Sequence, residues 1–172
     1  MEGGAVGDPN DPATEVGPLV NGKQLEEILA GIERGRAEGG TVLAGGERID
    51  DEAYLVAPTL FEGVGDKAFL SCEEVFGPVT SLYRFSELDD ALERANAVEF
   101  GLSAAIFTSS LASARTFTER IEAGIIRVNG QTAGVDVHVP FGGLKGSGFG
   151  PHEQGRAARD FYTESVTVYE DI

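Results

Sequence analysis

The stretch from Val79 to Asn129 repeats one pattern, in which a short apolar run is followed by an amphipathic segment and then by another apolar run. The apolar runs are Val79–Phe85, Ser103–Thr108 and Ile125–Asn129, and the segments between them carry apolar residues at helical spacing. Strands that alternate with helices at this distance form βαβ units with mainly parallel pairing. The pattern therefore predicts an α/β fold with a mostly parallel sheet flanked by helices.

The residues before Val79 predict fewer regular elements. Residues 1–20 are rich in Gly, Pro, Asp and Asn, which predicts an extended lead-in. Asn21 is placed to cap the helix that follows, with Gln three residues later. Thr41–Ala44 predicts a short buried strand, and Tyr54–Phe61, which contains a proline, predicts an edge strand or an extended segment.

The residues after Asn129 interrupt the alternation. Seven glycines lie within 130–150, and a run this rich in glycine allows the backbone to approach its neighbours closely. Because the run matches neither common phosphate-loop pattern, we interpret it as a tight wrap across a neighbouring domain. Pro151 predicts the first turn of a short helix that reaches Phe161, and Ser165–Tyr169 predicts a terminal strand that docks on a sheet edge, often that of a partner chain.

Charge and hydropathy restrict the class of protein. The formal net charge of -16 would repel phosphate backbones, so we expect no nucleic-acid partner. The acids are dispersed and only three residues are lysine, which favours a halophilic protein of a high-salt cytoplasm; an ordinary acidic cytosolic protein is the alternative. No apolar run is long enough to span a membrane and the first residues lack a secretory pattern, so we expect a cytoplasmic protein without a membrane partner.

The only thiol, Cys72, is interpreted as a packing residue. Two glutamates follow it directly, and nearby negative charge disfavours the thiolate that nucleophilic catalysis needs. One cysteine and two histidines, His138 and His152, are too few for a Cys/His zinc cluster, so no metal site is predicted. Both histidines are expected to be structural or exposed.

The segment Glu73–Pro78 is a candidate binding loop. Adjacent carboxylates followed by an aromatic residue and a Gly-Pro pair predict a shaped loop. A carboxylate there could accept hydrogen bonds from ribose hydroxyls, and the aromatic ring could stack on a flat heterocycle; a solvated turn is the alternative. Glu153, expected in the first turn of the last helix, is either a helix-start anion or a proton relay.

Several segments together resemble the NAD(P)-dependent aldehyde dehydrogenase superfamily, in that family's order and spacing. The resemblance covers nearly all of the chain, and the combination of EEVFGPV with PFGGLKGSGFG is highly specific. The matching segments are Gly7–Val20, Glu73–Val79, Ala91–Asn96, Phe100–Thr108, Glu122–Gly130, Pro140–Gly150 and Phe161–Tyr169.

The resemblance implies a role for individual residues. Glu74 corresponds to the glutamate that binds the nicotinamide ribose of NAD or NADP, and Phe76 to the aromatic residue against the nicotinamide. Gly130–Val139 corresponds to the loop that lines the substrate entrance, and Phe141 to the aromatic residue after it. Glu153 corresponds to a glutamate that relays protons in some members.

The resemblance also implies how the chain is organised and what it lacks. Residues 1–129 correspond to part of the catalytic domain, 130–160 to the entrance loop, the glycine-rich wrap and a short helix, and 161–172 to an oligomerisation strand. In the family the nucleophilic cysteine, the general-base glutamate and the Rossmann domain precede this region. The chain is therefore expected to be the C-terminal part of an enzyme, inactive without an N-terminal half, and to form a homo-oligomer.

The substrate and the state of the chain leave alternatives open. The residues around the entrance loop resemble members that act on 2-oxoglutarate semialdehyde (2,5-dioxopentanoate), whereas succinate semialdehyde or a generic aliphatic aldehyde are alternatives. The chain could instead be a non-catalytic remnant or an oligomerisation module of the same fold. A stand-alone nucleotide-binding module is disfavoured because no phosphate-binding loop is present.

Overall fold

The chain divides into two compact units, which are described separately below. The computed structural model describes residues 5–50 and 53–172. The units, called here the N-terminal unit and the C-terminal unit, are Met1–Arg84 and Phe85–Ile172. The boundary between them falls inside the segment 1–129, and the division of the chain at residues 129 and 160 stays a prediction.

The N-terminal unit packs one long helix and one short helix against a three-stranded sheet. The sheet order is β1-β2-β3, with β1 antiparallel and β3 parallel to β2. The elements in its described residues are α1 (Gly22–Ala37), β1 (Thr41–Ala44), β2 (Thr59–Glu62), α2 (Phe69–Cys72) and β3 (Val79–Leu82).

Helix α1 begins where the sequence predicts. The Asn21 side chain accepts a hydrogen bond from the Gln24 amide at 2.9 Å, which satisfies one of the free N–H groups of the first turn. The apolar face of α1 supplies half of the core of the unit. The buried cluster consists of Leu25, Ile28, Ile32, Val56, Phe61 and Val64.

Two strand predictions for this unit are wrong in detail. β1 alternates between exposed and half-buried residues and lies at the edge of the sheet, so it is not a buried strand. β2, expected at an edge because of Pro58, is the central strand. The proline does not disturb it because the strand begins one residue later, at Thr59, and the lost N–H falls outside the paired register.

The lead-in over 1–20 folds back on itself instead of extending. Its first four residues lie outside the described residues. In the remainder, Val6 forms a parallel bridge with Val16, and the Asp8 side chain accepts hydrogen bonds from the backbone and the side chain of Asn10. The Asn10 contacts also hold the pKa of Asp8 below its usual value. Turn-forming side chains therefore close the segment into a loop.

The C-terminal unit consists of two small sheets and three helices. β5 and β6 pair in parallel, whereas β4 and β7 pair antiparallel. The elements in its described residues are α3 (Leu88–Asn96), β4 (Phe100–Gly101), β5 (Ser103–Ile106), α4 (Leu111–Arg120), β6 (Ile125–Val128), β7 (Leu144–Lys145) and α5 (Ala157–Tyr162).

The α/β class and the parallel pairing across a crossover helix are confirmed. α4 connects β5 to the parallel strand β6, and the Ser110 hydroxyl caps α4 by accepting the Ser113 amide at 3.2 Å. α3 begins at Leu88 with Glu87 as its N-cap residue. The buried cluster of this unit consists of Leu92, Phe117, Ile121 and Ala123.

The glycine-rich wrap lies against its own unit. A Cβ atom on Gly124 would collide with the carbonyl oxygen of Gly142 and would lie 2.9 Å from the Gly143 Cα. A Cβ on Gly101 would collide with the Glu122 carbonyl oxygen. The glycines therefore allow direct contact between backbones, as predicted, and the backbone atoms that they contact belong to the same compact unit. The wrap across a neighbouring domain stays a prediction.

One lysine within the wrap binds the end of α3. The Lys145 ammonium donates to the carbonyl oxygens of Asn96 at 2.7 Å and Val98 at 3.2 Å, and it forms an ion pair with Glu122 at 2.6 Å. Asn96 is the last residue of α3, so its carbonyl lies at the negative end of the helix dipole. A cation at this position satisfies free carbonyl groups of the helix end.

The last helix begins later than predicted. α5 spans Ala157–Tyr162, whereas Pro151 was expected in its first turn. The delay follows from a backbone contact with an earlier segment, because Glu153 is paired in an antiparallel bridge with Phe141 and Gln154, the next residue, has a φ of 68°. Both conformations are incompatible with a helix, so the helix cannot start before the chain leaves this bridge.

No helix in the described part of the chain combines the length and the apolar composition that crossing a bilayer would require.

Candidate functional site

A cleft in the N-terminal unit lies between α1 and the segment 69–76. Its volume is about 410 Å³. Two of the residues singled out from the sequence, Glu74 and Phe76, line it together. The full lining consists of Gln24, Glu27, Ile28, Ala30, Gly31, Arg34, Phe69, Glu74, Val75 and Phe76.

Glu74 and Phe76 are presented to solvent by an irregular loop between α2 and β3. The Phe76 ring is 71% exposed, and Glu74 is exposed as well. Between them, Val75 points back to the core cluster of the unit. The loop is tight, because the Gly77 amide donates to the Val75 carbonyl at 2.7 Å. An exposed carboxylate and an exposed ring two residues apart are therefore available to one ligand.

Gln24 is a site residue that the sequence reasoning missed. Its side-chain Nε2 donates to the Phe76 carbonyl oxygen at 3.3 Å, and it lines the same cleft. The sequence pattern indicates a role for Gln24 only in the helix cap that starts at Asn21. The distance of 52 residues between Gln24 and Phe76 leaves no local pattern from which this contact could have been found.

The opposite end of the cleft carries a charged cluster on α1. The Arg34 Nε donates to Glu38 Oε1 at 2.8 Å, and the Phe69 amide donates to Glu38 Oε2 at 2.6 Å. These two contacts, the Phe69 amide first and Arg34 second, hold the pKa of Glu38 below its ordinary value of 4.5. The contribution of Glu38 to folding stability is therefore complete above pH 4.5 and is lost as the pH falls through its lowered pKa.

Phe141 and Glu153 are brought together in the C-terminal unit. The Phe141 amide donates to the Glu153 carbonyl at 2.7 Å, and the Glu153 amide donates back to the Phe141 carbonyl at 3.0 Å. The Glu153 carboxylate lies 3.5 Å from the Tyr162 hydroxyl. The expectation that Glu153 occupies the first turn of a helix is wrong, which removes the reading of Glu153 as a helix-start anion; the relay role stays a prediction.

The entrance-loop candidate, Gly130–Val139, is exposed along most of its length, and hydrogen bonds hold the residue before it and its middle. The Asn129 side chain accepts from the Thr108 amide at 2.8 Å and donates to the Thr108 carbonyl at 3.0 Å. From the adjacent strand, Arg127 donates to the Gly134 carbonyl at 2.8 Å. Asn129 has a φ of 56°, so the chain turns out of β6 at this residue.

Cys72 is half-buried at the end of α2, and its Sγ lies 3.5 Å from the Asp66 carbonyl oxygen. The interpretation of the thiol as a packing residue stays a prediction. Within residues 5–50 and 53–172, no group of three or more His, Cys, Asp or Glu side chains could hold a metal ion.

Comparison with known proteins gives one consistent family. The aldehyde dehydrogenase family model matches residues 1–168. The chain is 45% identical over 167 residues to a betaine aldehyde dehydrogenase of Rhizobium etli and 39% identical over 168 residues to an alpha-ketoglutaric semialdehyde dehydrogenase of Bacillus subtilis. Each match covers 95% of this chain and 34% of the relative.

A solved structure agrees with the sequence comparisons. An aldehyde dehydrogenase from Bacillus cereus, solved as a complex with NAD+, superposes with a TM-score of 0.88 and 39% sequence identity. The match covers 92% of this chain and 32% of that chain.

The α/β fold and the loop that carries Glu74 and Phe76 thus belong to a family of oxidoreductases. The chain is a member of the aldehyde dehydrogenase family. It spans about a third of the length of the curated relatives that it matches.

Proposed function

We propose that this chain forms the nicotinamide-side wall of an NAD- or NADP-dependent aldehyde dehydrogenase. The observation that carries the proposal is the shared cleft of Glu74 and Phe76, the residues that correspond to the ribose-binding glutamate and the nicotinamide-facing aromatic residue of the family. Both side chains are exposed, and neither is used in the packing of the N-terminal unit.

The chemistry of the cleft fits the nicotinamide half of the cofactor. The Glu74 carboxylate can accept hydrogen bonds from two ribose hydroxyls, and the Phe76 ring can cover one face of a flat heterocycle. When bound, the nicotinamide supplies the hydride acceptor. The residues of this chain orient the cofactor. Glu74 fixes the ribose, and Gln24 supports the backbone that carries Phe76.

The substrate proposed is a semialdehyde that carries a carboxylate, with 2,5-dioxopentanoate as the first candidate. One relative is named for alpha-ketoglutaric semialdehyde. Arg127 contacts the entrance-loop candidate at Gly134, so a cation lies beside this loop. Phe141 follows the loop and would contact the substrate chain, and Glu153, bridged to Phe141, would relay a proton to or from water. Succinate semialdehyde and a generic aliphatic aldehyde are the alternative substrates, and the same assay tests them.

The chain alone is proposed to be inactive, because the family's nucleophile does not correspond to Cys72. The purified 172-residue chain, assayed with NAD or NADP and 2,5-dioxopentanoate, is expected to give no reduced cofactor. A chimera in which this chain follows the remaining two thirds of the Bacillus subtilis relative should oxidise the semialdehyde. Absorbance of the reduced nicotinamide is the measurement.

The chimera carrying Glu74→Ala tests the contact between Glu74 and the cofactor. It should fold as the parent chimera does and lose most of its turnover at a low cofactor concentration. Turnover by the 172-residue chain alone that disappears in Cys72→Ala would contradict the proposal, since it would make the single thiol a nucleophile.

The C-terminal tail is proposed to join a sheet of a partner subunit. Residues 163–172 form no strand and are exposed, and their apolar side chains include Val166 at 82% and Val168 at 73%. A strand without a partner leaves its N–H and C=O groups unpaired, and pairing across a subunit boundary would satisfy them. The net charge of -16 opposes association at low ionic strength.

Light scattering tests whether the C-terminal tail joins copies of the chain. The molar mass of the chain should rise from low salt to molar salt, as expected for a homo-oligomer from a salt-rich cytoplasm, because salt screens the repulsion between copies. A chain that ends at Phe161 should stay monomeric in the same series. If the 172-residue chain is monomeric at every salt concentration, the interface role of the tail is contradicted.

A further inference from the structure

The short helix α2 begins without a cap of its own. Its N-cap position is occupied by Ala68, whose side chain cannot accept a hydrogen bond from the first turn. The missing acceptor comes from another element, because Glu38 at the end of α1 accepts the Phe69 amide at 2.6 Å. A carboxylate at the start of a helix is also favoured by the partial positive charge there.

Arg34 ties the same contact to a second one. Its Nε donates to Glu38 Oε1 at 2.8 Å, and its guanidinium carbon lies 4.5 Å from the centre of the Phe69 ring. The backbone and the side chain of Phe69 are therefore both held by α1, the first through Glu38 and the second through the cation–π contact of Arg34. We call Arg34, Glu38 and Phe69 the clamp.

The clamp lies next to the candidate binding residue in the chain. α2 has four residues, and the amide of Glu73, directly after it, donates to the Phe69 carbonyl at 2.8 Å. Glu74 is the next residue. Two hydrogen bonds made by the backbone of Phe69 therefore connect the Glu38 carboxylate to the amide of Glu73, the residue before Glu74.

Close packing limits any other position of this segment relative to α1. A Cβ on Gly31 would lie 3.2 Å from the Phe69 ring, and one on Gly35 would collide with Leu70. At the other end of the segment, Gln24 holds the Phe76 carbonyl. Helix α1 thus contacts the segment 69–76 on both sides of Glu74.

We propose that Glu38, supported by Arg34, is a positioning residue that sets the place of the Glu74 carboxylate in the cleft. The proposal rests on the assignment of Glu74 to the nicotinamide ribose. It gives α1 a second role besides packing: the helix sets the distance between the carboxylate and the ring that would hold the two parts of one nucleotide.

Amide hydrogen exchange and nucleotide binding of the 172-residue chain test the proposal. In Glu38→Ala the amides of Phe69 and Glu73 should exchange about three- to tenfold faster, the range expected for a solvent-accessible charged hydrogen bond. The dissociation constant of nicotinamide mononucleotide, followed through the NMR signals of Glu74 and Phe76, should rise by a similar factor. For Glu38→Gln, the exchange rates and the dissociation constant should lie between those of the parent and those of Glu38→Ala, because the glutamine amide keeps one acceptor oxygen.

Glu33→Ala is the matched control. Glu33 lies on the same helix and pairs at 3.3 Å with Arg36, and in the part of the chain that the structure describes no hydrogen bond or ion pair joins it to α2. It should leave both exchange rates and the mononucleotide affinity unchanged. Equal exchange in Glu38→Ala and the parent, or faster exchange with unchanged affinity, would overturn the positioning role. A mononucleotide that moves neither Glu74 nor Phe76 signals in the parent chain would overturn the proposed function as well.

Discussion

Gly124→Ala should destabilise the C-terminal unit by about 3 kcal/mol, the upper part of the range for overpacked sites. The added Cβ would collide with the Gly142 carbonyl oxygen and would lie 2.9 Å from the Gly142 carbonyl carbon and the Gly143 Cα. All three neighbours are backbone atoms, so no side chain can rotate away. The wrap would have to move away from Gly124 and from β6, which follows it, and the contacts of Gly142 and Gly143 with Gly124 would be lost.

Urea unfolding, followed by circular dichroism and by amide signals of β6, measures the effect. Gly130→Ala is the control, because a Cβ on Gly130 has no heavy atom within 4 Å and no unusual φ. Its midpoint should stay close to that of the parent. A Gly124→Ala chain with the parent midpoint would show that the wrap is not in contact with Gly124 in solution.

Glu74→Gln should weaken the binding of the nicotinamide ribose by about 1.5–3 kcal/mol, the usual value of a hydrogen bond to a charged group. This corresponds to a loss of affinity of roughly ten- to hundredfold. In the chimera, hydride transfer should slow as well, since the rate depends on the placement of the reacting atoms. Binding of the adenosine part should change little, because the contact proposed for Glu74 is to the other ribose.

The neighbouring carboxylate provides the control for this measurement. Glu73 has the same charge and is also exposed, but it does not line the cleft. Calorimetric titration with nicotinamide mononucleotide and with AMP, for Glu73→Gln and Glu74→Gln, separates a specific contact from a change of local charge. Equal losses in the two variants, or no loss in either, would contradict the ribose role of Glu74.

Local sequence patterns were sufficient for the elements that depend on local contacts. Asn21 caps α1 as predicted, because an N-cap hydrogen bond joins residues only three positions apart, and Ser110 caps α4 with the same spacing. The strands β1 and β6 also lie where apolar runs indicated. Their place in the sheets was not predictable in the same way: whether a strand is central or at an edge depends on partners far along the chain, as β2 shows.

The late start of α5 has the same kind of cause. Pro151 and the residues after it have the composition of a helix start, but Glu153 is paired with Phe141, twelve positions earlier. The short pair β4 and β7 was missed because two residues are too few for any periodicity. In both cases a long-range backbone contact decided a local conformation.

The candidate site was partly predictable. The residue types at Glu74 and Phe76 suggested a binding loop, and the roles proposed for them come from the family resemblance. What the sequence could not supply was the wall opposite them on α1, since Gln24 and Arg34 are charged or polar residues of an ordinary helix surface. Their contribution depends on which helix face packs against the loop, and this follows only from the tertiary structure.

The contacts of Lys145 have a consequence for the surface chemistry of the molecule. The chain has three lysines, and Lys145 is the one that lies in the C-terminal unit. Its ammonium group is occupied by two carbonyl oxygens and a carboxylate, whereas Lys23 is 83% exposed at its side chain. Amine-directed reagents, such as acylating dyes and lysine cross-linkers, will therefore mark the N-terminal unit and leave residues 85–172 almost unlabelled while the fold is intact.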